Sequence, residues 1–351
     1  MRLDECGPDL AGRVGGKAVG LGHLLRQSLE VPPGFVITTE AYREWVLSRS
    51  LQHEVVRLIE ESEGVAAEEQ ASRRIRAAFE ATDLLDELAA EVRGAYAELG
   101  GGQEVSVAVR SSATAEDTAE ASFAGQQDTY LWVTGASSLL THVLKCWGSL
   151  FTPQAISYRR RLAIPVHEVA MAVVVQRMVA AEAAGVMMTI DPVTGDRSQI
   201  SIEGSFGLGL AVVGGEVTPD RFSVDKVTFE IRSRAIAHKP FAYRLDPATG
   251  QVRSFELSPE EGGLPCLHDD EVIRIAEVGK RAEHALGGPQ DIEWAVGPGP
   301  EGPRQLFMLQ ARPETVWSRK SPTPISARGE TAADRVVRLM RGGSPYSGKD
   351  A

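Results

Sequence analysis

Apolar residues recur at helical spacing over most of the first hundred positions and at strand spacing over much of the remainder. Leu21, Leu24 and Leu25 follow Gly15-Gly16-Lys17 on one helical face. Val31-Pro32-Pro33-Gly34 then breaks the chain before a short strand, Phe35-Val36-Ile37-Thr38. From residue 41 to 99 two stripes, Val46, Leu51, Val55, Leu58, Ile59 and then Ile75, Phe79, Leu84, Leu88, Val92, predict a packed layer of helices with charges outward. Val105, Val107 and Val109 alternate with Ser106, Ala108 and Arg110, which predicts a strand with one polar-capable face. Residues 111–125 are small and hydroxyl-rich and end in Phe-Ala-Gly, after which 127–133 return to strand character. A second helical block runs to about residue 161, and strands are predicted at 169–179, 184–190 and 200–203. Strands then dominate to about residue 256, with Asp246-Pro247-Ala248-Thr249-Gly250 as a hairpin turn. A helix over 269–286 leads into a last strand pair, 291–296 and 305–311. Beyond Trp317 the composition turns to Ser, Pro, Lys and Arg, which predicts a linker over 318–330. Residues 331–340 form a short amphipathic segment, read either as a docking helix or as a frayed tail.

Composition narrows the functional classes. With 351 residues the chain holds two or three packed units at roughly 100–200 residues each. Its 43% hydrophobic and 24% charged residues exclude disordered, fibrous and disulfide-scaffold classes. The formal charge of −11, with no basic cluster, argues against nucleic-acid and membrane-surface partners. Cys6, Cys146 and Cys266 are far apart and odd in number, which fits a reducing, cytoplasmic setting. The N-terminus lacks the apolar core of a secretory signal, and the most apolar segment, 166–188, carries Glu168, Gln176, Arg177 and Glu182 and fails as a membrane span.

Several stretches could carry chemistry. Gly15-Gly16-Lys17 ahead of a helix offers backbone N–H groups and an ammonium to a phosphate, although it lacks P-loop spacing and a solvated turn is the plainer alternative. The loop at 111–125 is long and poor in bulk, as phosphate-covering lids are, and Arg110 beside it could clamp a phosphate; a mobile polar loop is the alternative. The last hairpin permits a register argument. If its connection is centred between Glu301 and Gly302, Asp291 faces Arg312, Glu293 faces Gln310 and Ala295 faces Met308, all on one side. A carboxylate beside an amide oxygen is a hard oxygen site that suits Mg²⁺, and an adjacent arginine can neutralise phosphate charge. A one-residue slip would separate these groups, and a solvent-facing ion pair on an edge hairpin is the competing interpretation. Gly207-Leu208-Gly209 lacks the third glycine of a dinucleotide fingerprint, and the seven histidines show no paired-ligand spacing.

Taken together, GGKAVGLGHLL, VPPGFVIT, VAVRSSATAEDTAEASFAGQQDTYLWV, VVVQRMVAAEAAGVMMTIDPVTGD, GEVTPDRF and QDIEW followed by LQARPET resemble the nucleotide-binding portion of the phosphoenolpyruvate synthase and pyruvate phosphate dikinase family over about residues 10–318. The resemblance implies an α+β ATP-grasp fold with nucleotide between two lobes and a helical insertion in the first. The lobes would span 1–178 and 179–318, followed by a tail over 319–351. ATP is the implied cofactor, with Mg²⁺ or Mn²⁺. Lys17, Arg110 and Arg312 would act on the phosphates, and the lid would contribute Thr114, Ser122 and Gly125. Gln176, Met178 and Val179 would hold adenine, and Glu293 and Gln310 the metal. Where the family often has Gly-Leu-Gly-Glu, this sequence has Leu210 in place of the acid. Full-length members continue into a swivelling domain with a phosphoryl-accepting histidine, a context absent from these 351 residues. The expectation is therefore an ATP-binding subunit of a split dikinase, similar to the phenylphosphate synthases, whose partner subunit carries the histidine and the acceptor site. A split pyruvate,water dikinase, a rifampicin-phosphotransferase-like enzyme and a non-catalytic ATP-sensing subunit are the alternatives.

Overall fold

The apolar stripe that begins after Gly15 forms helix α1 (Ala11–Arg26), kinked at Gly15, whose φ of 74° interrupts the helical run. In the computed structural model, which describes residues 1–113, 128–162, 164–299 and 304–317, this helix touches both main sheets. The lid residues Thr114, Ser122 and Gly125, the turn at 300–303 and the linker and tail from 318 lie outside the described residues. Residues 1–314 pack as one compact unit, to which the following description applies.

The remaining elements follow the predicted order. Strand β1 (Gly34–Ile37) leads into the helices α2 (Thr39–Ser48), α3 (Leu51–Glu60), α4 (Val65–Glu80) and α5 (Asp86–Leu99). Next come β2 (Ser106–Ala113), β3 (Thr129–Thr134), α6 (Ala136–Gly148), α7 (Pro153–Arg161) and β4 (Met171–Arg177). The second half contains β5 (Ala183–Met188), β6 (Gln199–Phe206), the short α8 (Leu210–Val213), β7 (Asp220–Asp225) and β8 (Ile231–Ala235). It is completed by β9 (Phe241–Asp246), β10 (Gln251–Glu256), the short α9 (Pro259–Gly262), α10 (Asp269–Leu286), β11 (Gln290–Gly297) and β12 (Gln305–Pro313). Four strands pair in the order β1-β4-β2-β3 and six in the order β12-β11-β5-β6-β7-β8, while β9 and β10 form a separate hairpin. All these ladders are antiparallel.

The four-stranded sheet separates two apolar cores. On β2 and β4, Val107, Val109, Val173 and Val175 join the helical layer, where Trp45 lies between Phe79 and Trp147 at centroid distances of 5.0 and 5.1 Å. Ala172 and Val174 face the other way, into a core shared with Ile200, Ile202, Phe222, Ile275 and Trp294. The strand predicted at β2, with one polar-capable face, is buried on both faces from Val107 onward, because a central strand has neighbours on both edges and packed layers on both sides. Leu3, Val14, Leu21 and Leu24 also belong to the second core, so the chain before residue 178 contributes to both.

Two glycines explain how α1 fits. A Cβ on Gly15 would sit 2.3 Å from the Ser112 carbonyl oxygen of β2, and one on Gly20 would sit 2.4 Å from the Ala311 carbonyl of β12. Contacts that close exclude any side chain, so the helix lies directly on both backbones. The three cysteines are buried thiols; burial pushes Cys6 up to about 11 and raises Cys146 and Cys266 as well. No helix among the described residues is long and apolar enough to cross a membrane.

Asp220, from the GEVTPDRF stretch, is a wholly buried charge. Its Oδ1 accepts from Lys239 Nζ at 2.6 Å and from the Ala237 N–H at 3.0 Å, and its Oδ2 accepts from the Cys266 N–H at 2.8 Å. Removing one half of a buried pair leaves the other half uncompensated. Asp220→Ala should therefore destabilise the chain by about 3–5 kcal/mol in urea unfolding, and Asp220→Ala/Lys239→Met should recover part of that loss. Equal stability of the single variant and the wild type would refute this role.

Candidate functional site

Along β2, Ala108, Arg110 and Ser112 point away from the helical core. Arg110 is 9% exposed and reaches across to the β11–β12 hairpin of the other sheet. Its Nη2 donates to Glu293 Oε2 at 2.5 Å and to Gln310 Oε1 at 2.8 Å, and its Nη1 donates to the Leu309 carbonyl at 2.7 Å. Glu293 and Gln310 are register partners, as the hairpin argument predicted, and so are Asp291 and Arg312. The third predicted pair fails: Trp294 faces Met308 and Ala295 faces Phe307. A bulge just past Glu293 leaves Leu309 as the extra residue, and Leu309 is the one whose carbonyl meets Arg110.

Arg312 stands one pair further along the same face, where its Nε and Nη2 donate to Asp291 Oδ2 at 3.1 and 2.8 Å. Its side chain is 45% exposed, so the solvent-facing ion pair expected as the alternative does occur, but at Asp291–Arg312 rather than at Glu293. Lys17 is half-buried on the first turn after the Gly15 kink. Ser112, two residues from Arg110, fixes that turn: its Oγ donates to the Val14 carbonyl at 2.8 Å and accepts from the Ala18 N–H at 3.4 Å.

Gln176, Met178 and Val179 line one cleft together with Arg110 and Glu293. Its space is about 830 Å³, counting the open mouth. Gln176 is 2% exposed, lies opposite Ala108 of β2, and donates through Nε2 to the Pro32 carbonyl at 3.3 Å, which ties the VPPGF stretch to the cleft wall. The chain then crosses between sheets: the Met178 N–H donates to the Ser106 carbonyl and the Glu182 N–H to that of Val296, both at 2.9 Å. Leu208 and Leu210 also line it, so the position where relatives often carry an acid is an apolar part of this cleft.

Leu131 is among the contributors missed by sequence reasoning. In the β2–β3 ladder the register shifts between Val107 and Val109, leaving Leu131 and Trp132 opposite Ala108, with Trp132 at φ 58°. This bulge turns Leu131 into the cleft. Nothing in the alternation of β3 marks it, because the residue in the left-handed conformation is a tryptophan rather than a glycine.

The donor set fits both an anion and a hard cation. Arg110 Nε is buried and lacks an acceptor among the described residues, an unmet donor in a cleft. Two oxygens, from Glu293 and Gln310, converge on a single cationic nitrogen, and such oxygens suit Mg²⁺ when water and phosphate complete the shell. No group of three or more His, Cys, Asp or Glu residues poised for a metal occurs among the described residues.

The model of the pyruvate phosphate dikinase AMP/ATP-binding domain matches residues 11–332. The chain belongs to this family. It is 42% identical over 375 residues to the phosphoenolpyruvate synthase of Aeropyrum pernix, covering 98% of this chain and 46% of that protein. It is 40% identical over 364 residues to a probable phosphoenolpyruvate synthase of Staphylothermus marinus, covering 96% and 44%. A probable phosphoenolpyruvate synthase of Methanocaldococcus jannaschii is 38% identical over 348 residues, 98% of this chain and 29% of that protein. The chain thus spans less than half the length of these relatives.

For an AMP/ATP-binding domain, the position of Arg110 makes a specific expectation. Arg110→Lys keeps the charge but loses the planar fork, and should weaken ATP binding roughly 10- to 100-fold while affecting AMP less. Calorimetric titration with both nucleotides checks this; an equal loss for ATP and AMP would remove Arg110 from the terminal phosphates.

Proposed function

We propose that this chain is the nucleotide-binding part of an ATP-grasp dikinase, holding ATP between the four-stranded and the six-stranded sheet and delivering its pyrophosphoryl or phosphoryl group to a histidine outside residues 1–351. The observation that carries the reading is the meeting of Arg110 from one sheet with Glu293 and Gln310 from the other, in the cleft lined by Gln176, Met178 and Val179. Adenine packs along Gln176–Val179 and the phosphates extend toward Arg110. Glu293 and Gln310 would hold Mg²⁺, or Mn²⁺ by the same oxygen chemistry, and the ion when bound supplies charge neutralisation at the phosphate oxygens. Arg110 exchanges its carboxylate and amide partners for phosphate oxygens, and its buried Nε finds an acceptor. Lys17 and Arg312 add positive charge from α1 and from the neighbouring hairpin pair, and Thr114, Ser122 and Gly125 belong to the covering lid. Catalysis by this chain is positioning and electrostatic stabilisation, with no covalent intermediate of its own.

In this proposal the acceptor histidine, with its swivelling domain, lies outside residues 1–351, and the overall reaction yields the phosphorylated acceptor, AMP and phosphate. The names of the relatives support pyruvate as the final acceptor over phenol. A non-catalytic ATP-sensing role has one observation in its favour, the apolar Leu210 on the cleft wall.

Labelled ATP distinguishes these readings. AMP should form only when the histidine-bearing protein is added, and product should accumulate with pyruvate rather than phenol. Glu293→Ala should abolish Mg²⁺-dependent AMP formation while the circular dichroism spectrum is retained. Tight ATP binding with no AMP in any combination would favour the sensing role, and undiminished turnover by Glu293→Ala would sink the metal assignment.

A further inference from the structure

Two consecutive serines near the end of β2 have opposite fates. Ser111 pairs with Val173 and shares its side, the helical core, where the Ser111 Oγ meets no partner among the described residues. Ser112 pairs with Ala172 and faces the second core, where its Oγ bonds to two backbone groups of α1.

Those two groups, the Val14 carbonyl and the Ala18 N–H, are the ones that a regular helical turn joins to each other, residue i to residue i+4. Between them Gly15 takes φ 74° and ψ 167°, outside helical geometry, and the Ser112 hydroxyl stands across the opened turn. A hydroxyl suits this place because it donates and accepts through one atom. Val14, Ala18 and Ser112 are all 0% exposed, so an alanine at 112 would leave a carbonyl and an N–H without this partner and away from water. The fit is also close, since a Cβ on Gly15 would sit 2.4 Å from the Ser112 Oγ.

Lys17 lies in the turn held in this way, between Gly15 and Ala18, both of which meet Ser112. Arg110 lies two residues before Ser112 on the same face of β2, about 7 Å along the strand. One hydroxyl thus ties the backbone that carries Lys17 to the strand that carries Arg110.

We propose that Ser112 is a positioning residue for the phosphate-binding cations: it sets the kinked turn of α1 so that Lys17 and Arg110 address one triphosphate together. The inference rests on the reading above, in which both cations act on the phosphates of ATP, and adds the residue that fixes their spacing. Ser112 itself need not touch the nucleotide.

The test titrates the full chain by calorimetry with ATP and with AMP, each in the presence of Mg²⁺. Ser112→Ala should weaken ATP about ten-fold and AMP less than about two-fold, because AMP lacks the outer phosphates. In a double-mutant cycle, Lys17→Ala should weaken ATP about ten-fold in the wild-type background and less than about two-fold beside Ser112→Ala, since a lysine already out of place has little left to lose. If circular dichroism shows that Ser112→Ala does not fold, Ser112→Cys, close in shape and weaker as donor and acceptor, replaces it in the same cycle. Unchanged ATP affinity, equal losses for ATP and AMP, or additive losses in the cycle overturn the proposal and leave Ser112 a packing residue. If the wild-type chain binds no ATP, or Lys17→Ala binds it as tightly as the wild type, the reading of Lys17 at the phosphates fails first and the proposal falls with it.

Discussion

A guanidinium rooted in the central strand of one sheet and satisfied by the strands of another holds the site together. Arg110 could not be this buried without acceptors, since a charge removed from water needs partners that replace its hydration. The partners are a carboxylate, an amide oxygen and a backbone carbonyl, all on the β11–β12 hairpin. Two of them follow from an unbroken register, and the third exists because the register breaks immediately afterwards. The same group that links the sheets also keeps an N–H that meets no acceptor among the described residues, so the link and the candidate phosphate site are one side chain.

Helix α1 sets the geometry in which that link forms. Gly15 lies against β2 at Ser112 and Gly20 against β12 at Ala311, one residue from Gln310 and two from Leu309. A side chain at either glycine would push the helix off a backbone and change the gap that Arg110 spans. Lys17 sits between these two contacts in the chain and is not among the residues that line the cleft. The glycine motif thus has a packing role beside any role toward phosphate.

Much of the local structure was legible from periodicity. The helix α10 matches its predicted span, the Asp246–Gly250 turn joins β9 to β10, and the pairs Asp291–Arg312 and Glu293–Gln310 follow from the length of one connection. The two bulges were not legible. One displaces Ala295 from Met308, and the other presents Leu131 to the cleft through a tryptophan in a left-handed conformation. Alternation predicts which face a residue takes only while pairing is regular, and an inserted residue is a decision of the whole ladder. Ser111 and Ser112, expected as the start of the loop, instead continue β2 and are buried, because small polar residues read as loop when their partners lie far away in the chain.

By itself the sequence determined the order and type of the elements, the residues available for chemistry and, through several motifs in fixed order, the family. Those properties are local or collinear, and spacing alone records them. Tertiary structure decided which of the candidates meet. It joined Arg110 to Glu293 and Gln310 across about two hundred residues of chain. It also made Asp220 and Lys239 a sealed pair. Such outcomes depend on which groups lose water together, and that is settled only when the layers close.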